Sequence, residues 1–283
     1  MTDKYEFTGE TKVVLGITLR QIRALIAIPL FGVSVGDVGG WIEKEENLSQ
    51  ASDSAWISGN AQISGHAQIS GHAWISGNAR ISGNARISGN AQISGNARIS
   101  GNAWISGDAQ ISGHARISGN AQISGHAWIS GHAQISSHAW ISGNAQISGN
   151  ARISGNARIY GNALISGDVQ ISGNARISGN ARIYGHARIY GNAWISGDAW
   201  IYGDARIYKV NVESTRTDGY TFTVAPTPNG PRVIAGCRYL TFKEAKAHWK
   251  ASRGGTKLGD ETMSILKHLE TMAKINGFME PVA

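Results

Sequence analysis

From residue 51 the apolar positions fall into a fixed period. Isoleucine recurs every six residues from Ile57 to Ile207 without a gap, giving twenty-six consecutive hexads. A small residue stands two places before each isoleucine, Ala in every unit except the one with Val169. Residues two apart share one face of an extended segment, so Ala and Ile point inward while the residue between them and the following Ser or Tyr point outward. Three residues of strand precede each corner, where Gly is followed by Asn, His or Asp, so each hexad predicts a short strand and a bend. The last slot holds Asn 14 times, His 7 and Asp 4, the non-glycine residues that best tolerate left-handed backbone. Gly is replaced once, by Ser137. That exception assigns the left-handed conformation to the Asn/His/Asp slot and close packing to the glycine.

Strand-plus-bend units of six close either as a triangle of eighteen residues per coil or as a flattened coil of twelve. The outward slot before each isoleucine discriminates. Sorted by eighteen, the three faces carry 4, 0 and 3 Trp and 1, 6 and 3 Arg; sorted by twelve, Arg divides evenly. The pattern favours eighteen, with Arg80, Arg98, Arg116, Arg152, Arg188 and Arg206 in one row interrupted by Gln62, Gln134 and Gln170. Trp56, Trp74, Trp128 and Trp200 share a second face, and Trp104, Trp140 and Trp194 the third.

These hexads, for example Ala61-Gln62-Ile63-Ser64-Gly65-His66, resemble those of the hexapeptide-repeat acyltransferase superfamily over residues 51 to 208. The resemblance implies an all-β solenoid, a left-handed parallel β-helix of nearly nine coils. Its handedness comes from the resemblance alone, since ordinary parallel crossovers are right-handed. The segment from Gly39 to Ser49 is also similar to the lead-in of uncharacterised bacterial and phage-encoded hexapeptide-repeat proteins, a subgroup that implies no activity.

Open solenoid ends expose strand edges and need atypical caps. Residues 1–50 read as an N-terminal β cap, with strands before a turn at Gly39-Gly40. Residues 209–283 regain the Lys and Glu that the repeats lack and read as a small α+β domain. Its expected strands are Lys209 to Thr215, Tyr220 to Val224 and Arg232 to Cys237, joined through Asp218-Gly219 and Asn229-Gly230. Thr241-Phe242-Lys243-Glu244 is a capping box opening a helix to about Ser252. A second helix is expected from near Asp260 to Gly277, with Ile265, Leu269 and Met272 on its core stripe.

Composition alters this picture in three respects. Glycine contributes 37 residues against 5 prolines, and 24 of the glycines occupy the bend slot, so the excess marks regular corners rather than disorder. The single Cys237 cannot form an internal disulfide. Its thiol is expected to be buried. With no signal-peptide pattern in the first fifteen residues and no long apolar run, the expectation is a soluble, cytoplasmic protein without a membrane partner.

Charge resolves by region into −2 for residues 1–50, +5 for 51–208 and +4 for 209–283. An arginine row favours a polyanion, and the planar guanidinium suits phosphate. An anionic partner, nucleic acid or nucleotide, is therefore one candidate. The Trp-bearing faces suggest self-association, as a trimer by analogy with the resembled superfamily, or a carbohydrate platform. Tyr160, Tyr184, Tyr190, Tyr202 and Tyr208 replace Ser toward the C-terminal end, where they are expected to pack under residues 209–283.

The resemblance also suggests a coenzyme A-dependent acyltransferase, whose catalytic residue is typically a histidine in a loop-built cleft. Here His66, His72, His114, His126, His132, His138 and His186 share the corner slot with Asn and Asp, and no insertion breaks the hexads. The reading is thus a non-enzymatic scaffold with no catalytic residue, no cofactor and no metal, and acyltransfer as the alternative. His114 and His132 stack one coil apart, but two ligands do not make a zinc site. Ice binding lacks its Thr rows, since residues 51–208 contain no Thr.

Overall fold

The computed structural model describes residues 3–51, 53–203, 205–207, 212–227, 229–236 and 238–278. Tyr208, residues 209–211 of the expected strand and Cys237 lie outside them. The chain divides after Asn150 into two compact units. Its repeats form a parallel β-solenoid of about nine coils with 18-residue spacing.

Every hexad contributes a two-residue strand, from Trp56–Ile57 to Arg206–Ile207. Each strand is one residue shorter than the alternation suggested, because only isoleucine and the residue before it pair in the ladder, and the turn falls on Gly and the residue after it. In the first unit Arg80 pairs with Arg98 and Arg98 with Arg116, all in parallel. In the second, Arg188 pairs with Arg206. Partners eighteen apart exclude the twelve-residue coil. Backbone N–H groups donate to carbonyls of the next coil, as Arg98 does to Ala115 at 2.8 Å and Ser100 to Ile117 at 2.9 Å. The hexad isoleucines are all buried with their alanines, and each Ile contributes about 1.5–3 kcal/mol before chain entropy is subtracted.

The corner corrects the expectation about its left-handed residue. It is the glycine slot that takes positive φ, +71° at Gly101 and +68° at Gly119, and Ser137 adopts +61° in the same slot. Among the described residues only Ser137 and Leu15 do so without being glycine. Glycine is demanded twice here. A Cβ on Gly101 would lie 2.7 Å from the Gly119 carbonyl oxygen one coil on, and left-handed backbone disfavours any L side chain.

Three strands precede the repeats: β1 (Tyr5–Val14), β2 (Ile17–Ala24) and β3 (Val38–Ile42). They run antiparallel in succession, and β3 then pairs in parallel with Gln62–Ile63, which extends one solenoid sheet. Gly39 and Gly40 therefore lie within a strand, not in a turn. A Cβ on Gly39 would approach Ile22 Cγ1 at 2.6 Å and the Ile57 carbonyl at 2.8 Å, and one on Gly40 would collide with Ile57 Cγ2. Side chains substitute for the coil that is missing below. Buried Asn47 accepts from Glu43 and Lys44 N–H and donates to the Gly65 and Ala67 carbonyls at 3.1 and 2.9 Å. Glu43 accepts the Gly65 N–H at 2.6 Å and Asp53 the Gly71 N–H at 2.8 Å. Asp53 also holds Lys4, fully buried, at 2.7 Å; burial keeps that ammonium below its ordinary pKa despite the partner.

In the second unit, Val212–Thr215, Thr221–Ala225, Arg232–Ala235 and Arg238–Leu240 form a four-stranded antiparallel sheet, one strand more than expected. Two helices follow, α1 (Phe242–Arg253) and α2 (Lys257–Ile275). They enclose a core of Phe222, Val224, Val233, Trp249, Leu266 and Leu269. Thr241 and Glu244 form the expected capping box. Helix α2 starts three residues before Asp260, because Thr256 caps it by accepting the Gly259 N–H at 3.1 Å. Ile265 and Leu269 are buried as expected, whereas Met272 is only half-buried. The sheet meets the last coil through Trp200 N–H donating to the Gly236 carbonyl at 3.0 Å and Ser196 Oγ donating to Glu213 at 2.7 Å.

Candidate interaction faces

The residue before each isoleucine stands on a flat parallel sheet whose neighbours are one coil away, so like residues line up by register alone. In the first unit one sheet presents Gln62, Arg80, Arg98, Arg116 and Gln134 in sequence. In the second unit the equivalent sheet presents Arg152, Gln170, Arg188 and Arg206. All six arginines are exposed. The first row is extended at its N-terminal end by Trp41, paired with Gln62, and by Lys12, whose Nζ lies 4.0 Å from the Trp41 ring centroid. Partial burial and repulsion from Arg80 hold the Lys12 ammonium below the ordinary lysine value.

The tryptophans do not form seven equivalent exposed platforms. Trp56 is 1% exposed, packed against the Gly39 segment of the cap. Trp74 is half-buried, stacks on Phe31 at 5.3 Å and donates its Nε1–H to Ser58 Oγ at 3.1 Å. Trp104, Trp128, Trp140, Trp194 and Trp200 are exposed, from 54% at Trp104 to 37% at Trp200. Arg182 lies 4.9 Å over the Trp200 ring. Nothing in the hexad pattern told Trp56 and Trp74 from the rest, because what covers them arrives from residues outside the repeat. The tyrosines divide similarly: Tyr160 and Tyr202 are exposed and Tyr184 and Tyr190 half-buried, so packing beneath the C-terminal residues is incomplete. Tyr202 lines a 260 Å³ groove with Thr227, Asn229, Arg232 and Tyr239.

The corner columns are what the sequence reading missed. Freed from left-handed backbone, the Asn/His/Asp slot hydrogen-bonds between coils. Asn84 donates to Asn102 and Asn102 to Asn120, which meets His138 at 2.9 Å. Asn90 donates to Asp108 at 2.7 Å, and His126 Nδ1 lies 3.1 Å from the same carboxylate. In the second unit Asn162, Asn180 and Asp198 form one ladder and Asn156, Asn174 and Asn192 another. His186 stands 3.3 Å from Asp168. The available signal was that Asn, Asp and His share short side chains with both hydrogen-bonding capacity and eighteen-residue spacing. His114 and His132 stack with parallel rings, 4.8 Å between centroids and 2° between planes. With Asn96, Arg98, Arg116 and Gln134 they line an open notch of 470 Å³.

These sheets and corners define a hexapeptide-repeat-like parallel β-solenoid. Eight stretches match the family model described as the YdcK beta solenoid repeat: residues 79–91, 91–107, 109–125, 145–158, 157–173, 169–185, 181–197 and 187–203. No curated protein matches the chain. Among the described residues, no helix is long and apolar enough to cross a membrane, and no group of three or more His, Cys, Asp and Glu gathers as metal ligands.

Proposed function

We propose that this chain is a non-enzymatic scaffold, a repeat solenoid with residues 1–50 and 209–283 as its caps, that binds a partner or further copies of itself through its flat faces. The observation that carries this reading is the register of the outward slot. Twenty-six uninterrupted hexads present repeated rows of Arg and Trp on rigid parallel sheets, a surface suited to extended contact rather than to a single reacting centre. The corner histidines support it too, since His126, His138 and His186 are engaged in ladders between coils.

The arginine rows at Arg80, Arg98, Arg116, Arg152, Arg188 and Arg206 are the anionic-partner surface. The exposed Trp104, Trp128, Trp140, Trp194 and Trp200 are the self-association surface, with a side-by-side trimer as the assembly. The lone cysteine suits a reducing compartment, and we place the protein in the cytoplasm. Light scattering on the purified chain tests the reading, together with turnover of acetyl coenzyme A with amine acceptors. A trimer mass without turnover is expected. A monomer overturns the self-association arm, and sustained acetyl transfer overturns the scaffold reading itself.

A further inference from the structure

Between Ala55 and Asn150 the sequence holds a single carboxylate, Asp108. It stands in the corner column of Asn90 and His126, bonded to the first and 3.1 Å from the second. The Arg80, Arg98 and Arg116 sheet is bounded by the other two columns. One contains Asn78, Asn96, His114 and His132, the other Asn84, Asn102, Asn120 and His138, and between residues 55 and 150 neither carries an acid. Three guanidinium groups therefore rise one coil at a time, about 4.8 Å apart, on an exposed stripe where no carboxylate pairs with them among the described residues. Each adjacent pair repels. Gln is accepted in the same slot at Gln62 and Gln134, so the fold does not require these charges.

Deepening the scaffold reading, on which it rests, we propose that the stripe of Arg80, Arg98 and Arg116, with the notch at His114 and His132, binds single-stranded nucleic acid. The phosphates lie along the guanidinium row and a base lies against the stacked imidazoles. Arginine's planar fork matches phosphate oxygens in pairs, and the solenoid contains no lysine at all. The outer ring faces of the His114–His132 stack, beside the row, are aromatic surfaces on which an unpaired base can stack. A flexible strand can adjust its phosphate spacing to a straight row of fixed rise, whereas a duplex cannot splay a base into the notch. The second unit is a poorer site: Asp168 stands in the corner column beside Arg152, Gln170 and Arg188, 3.3 Å from His186.

The test is fluorescence anisotropy of a labelled oligothymidylate titrated with the full chain over a range of salt. Three phosphate contacts should give a slope of log K against log salt of about −2. R98Q/R116Q should weaken binding at least tenfold at low salt and flatten the slope to about −0.7. H114N/H132N, which installs a residue native to that column, should weaken oligothymidylate about tenfold while leaving inorganic polyphosphate unaffected. R86Q, on another sheet, should change nothing. The proposal is overturned if R98Q/R116Q binds like the parent, if R86Q loses as much, or if heparin fragments or duplex bind more tightly than the single strand at equal salt. Equal loss of polyphosphate in H114N/H132N overturns the stacking role. Loss of oligonucleotide binding leaves the mass and turnover tests of the scaffold reading unaffected, so the two fail separately.

Discussion

At the residue scale, the corner glycine does the work that the sequence pattern gave to its neighbour. Ser137 shows the cost of departing from it, a non-glycine residue at φ +61° among glycines that share its conformation. Ser137→Gly should stabilise the chain by about 1 kcal/mol, the order of the left-handed penalty for an L residue, and raise the thermal midpoint. Gly101→Ala should do the reverse and more, since its Cβ would meet backbone 2.7 Å away as well as adopting φ +71°. Thermal unfolding of both variants beside the parent measures the pair. Asp218 is a different kind of residue effect. Arg216 donates to it through Nε at 2.9 Å and Nη2 at 2.7 Å, and that bonding holds its pKa down to about 2. A carboxylate depressed in the folded state contributes stability that is complete above its unfolded value near 4 and lost as pH falls through 2. Protection of the Thr221–Ala225 amides, measured against their intrinsic exchange rates at each pH, should therefore fall between pH 4 and pH 2, and the Asp218→Asn variant should lack that step.

At the element scale, the repeated strands are too short to stand alone, and their ends must be closed by other means. Asn47 bonds two N–H groups and two carbonyls at the N-terminal edge. Asn47→Ala leaves buried groups unsatisfied at about 1–3 kcal/mol; amide exchange should quicken first at Ser49, whose N–H donates to the Ile69 carbonyl at 2.9 Å. Much of this level was legible. The period from Ile57 to Ile207, the capping box at Thr241 and the core positions Ile265 and Leu269 all emerge from spacing that local geometry obeys. The misassigned elements have a common cause. Gly39-Gly40 reads as a turn because glycines usually mark one, yet here two side chains are omitted so that a strand can lie against Ile22 and Ile57. Helix α2 begins at Lys257 behind the Thr256 cap, and Gly259 in its first turn hid that start; a Cβ there would collide with the Arg253 carbonyl.

At the scale of the whole molecule, the solenoid is defined by a register of eighteen, and its hexads are locally interchangeable. Within the first unit, deletion of residues 85–102, one coil, should keep the fold and leave Arg80 paired with Arg116. Deletion of residues 85–90, one hexad, should also fold, because every isoleucine still points inward, but it sets Trp104 beside Arg80 and breaks the arginine row. Circular dichroism should be alike for both shortened chains, and oligothymidylate affinity should fall to a similar extent in both, because each keeps two adjacent arginines beside His114 and His132, Arg80 and Arg116 in the longer deletion and Arg98 and Arg116 in the shorter. Parental affinity in both shortened chains would show that the length of the row is irrelevant.

The six-residue spacing dictates the repeat and the inward isoleucines, because any coil built of such strands turns those positions to one side; the membership of each row follows only once the coil is three-sided, which the pairing of residues eighteen apart decides. Tertiary structure alone decided which outward residues are free. Trp56 and Trp74 share a slot with the exposed Trp128, and only the arrival of the cap segment and Phe31 over them separates buried from accessible. It also decided the role of the corners. Whether Asn, Asp and His served backbone conformation or hydrogen bonding between coils depended on which residue of the bend took positive φ, and contact between successive glycines, eighteen residues apart, settled that.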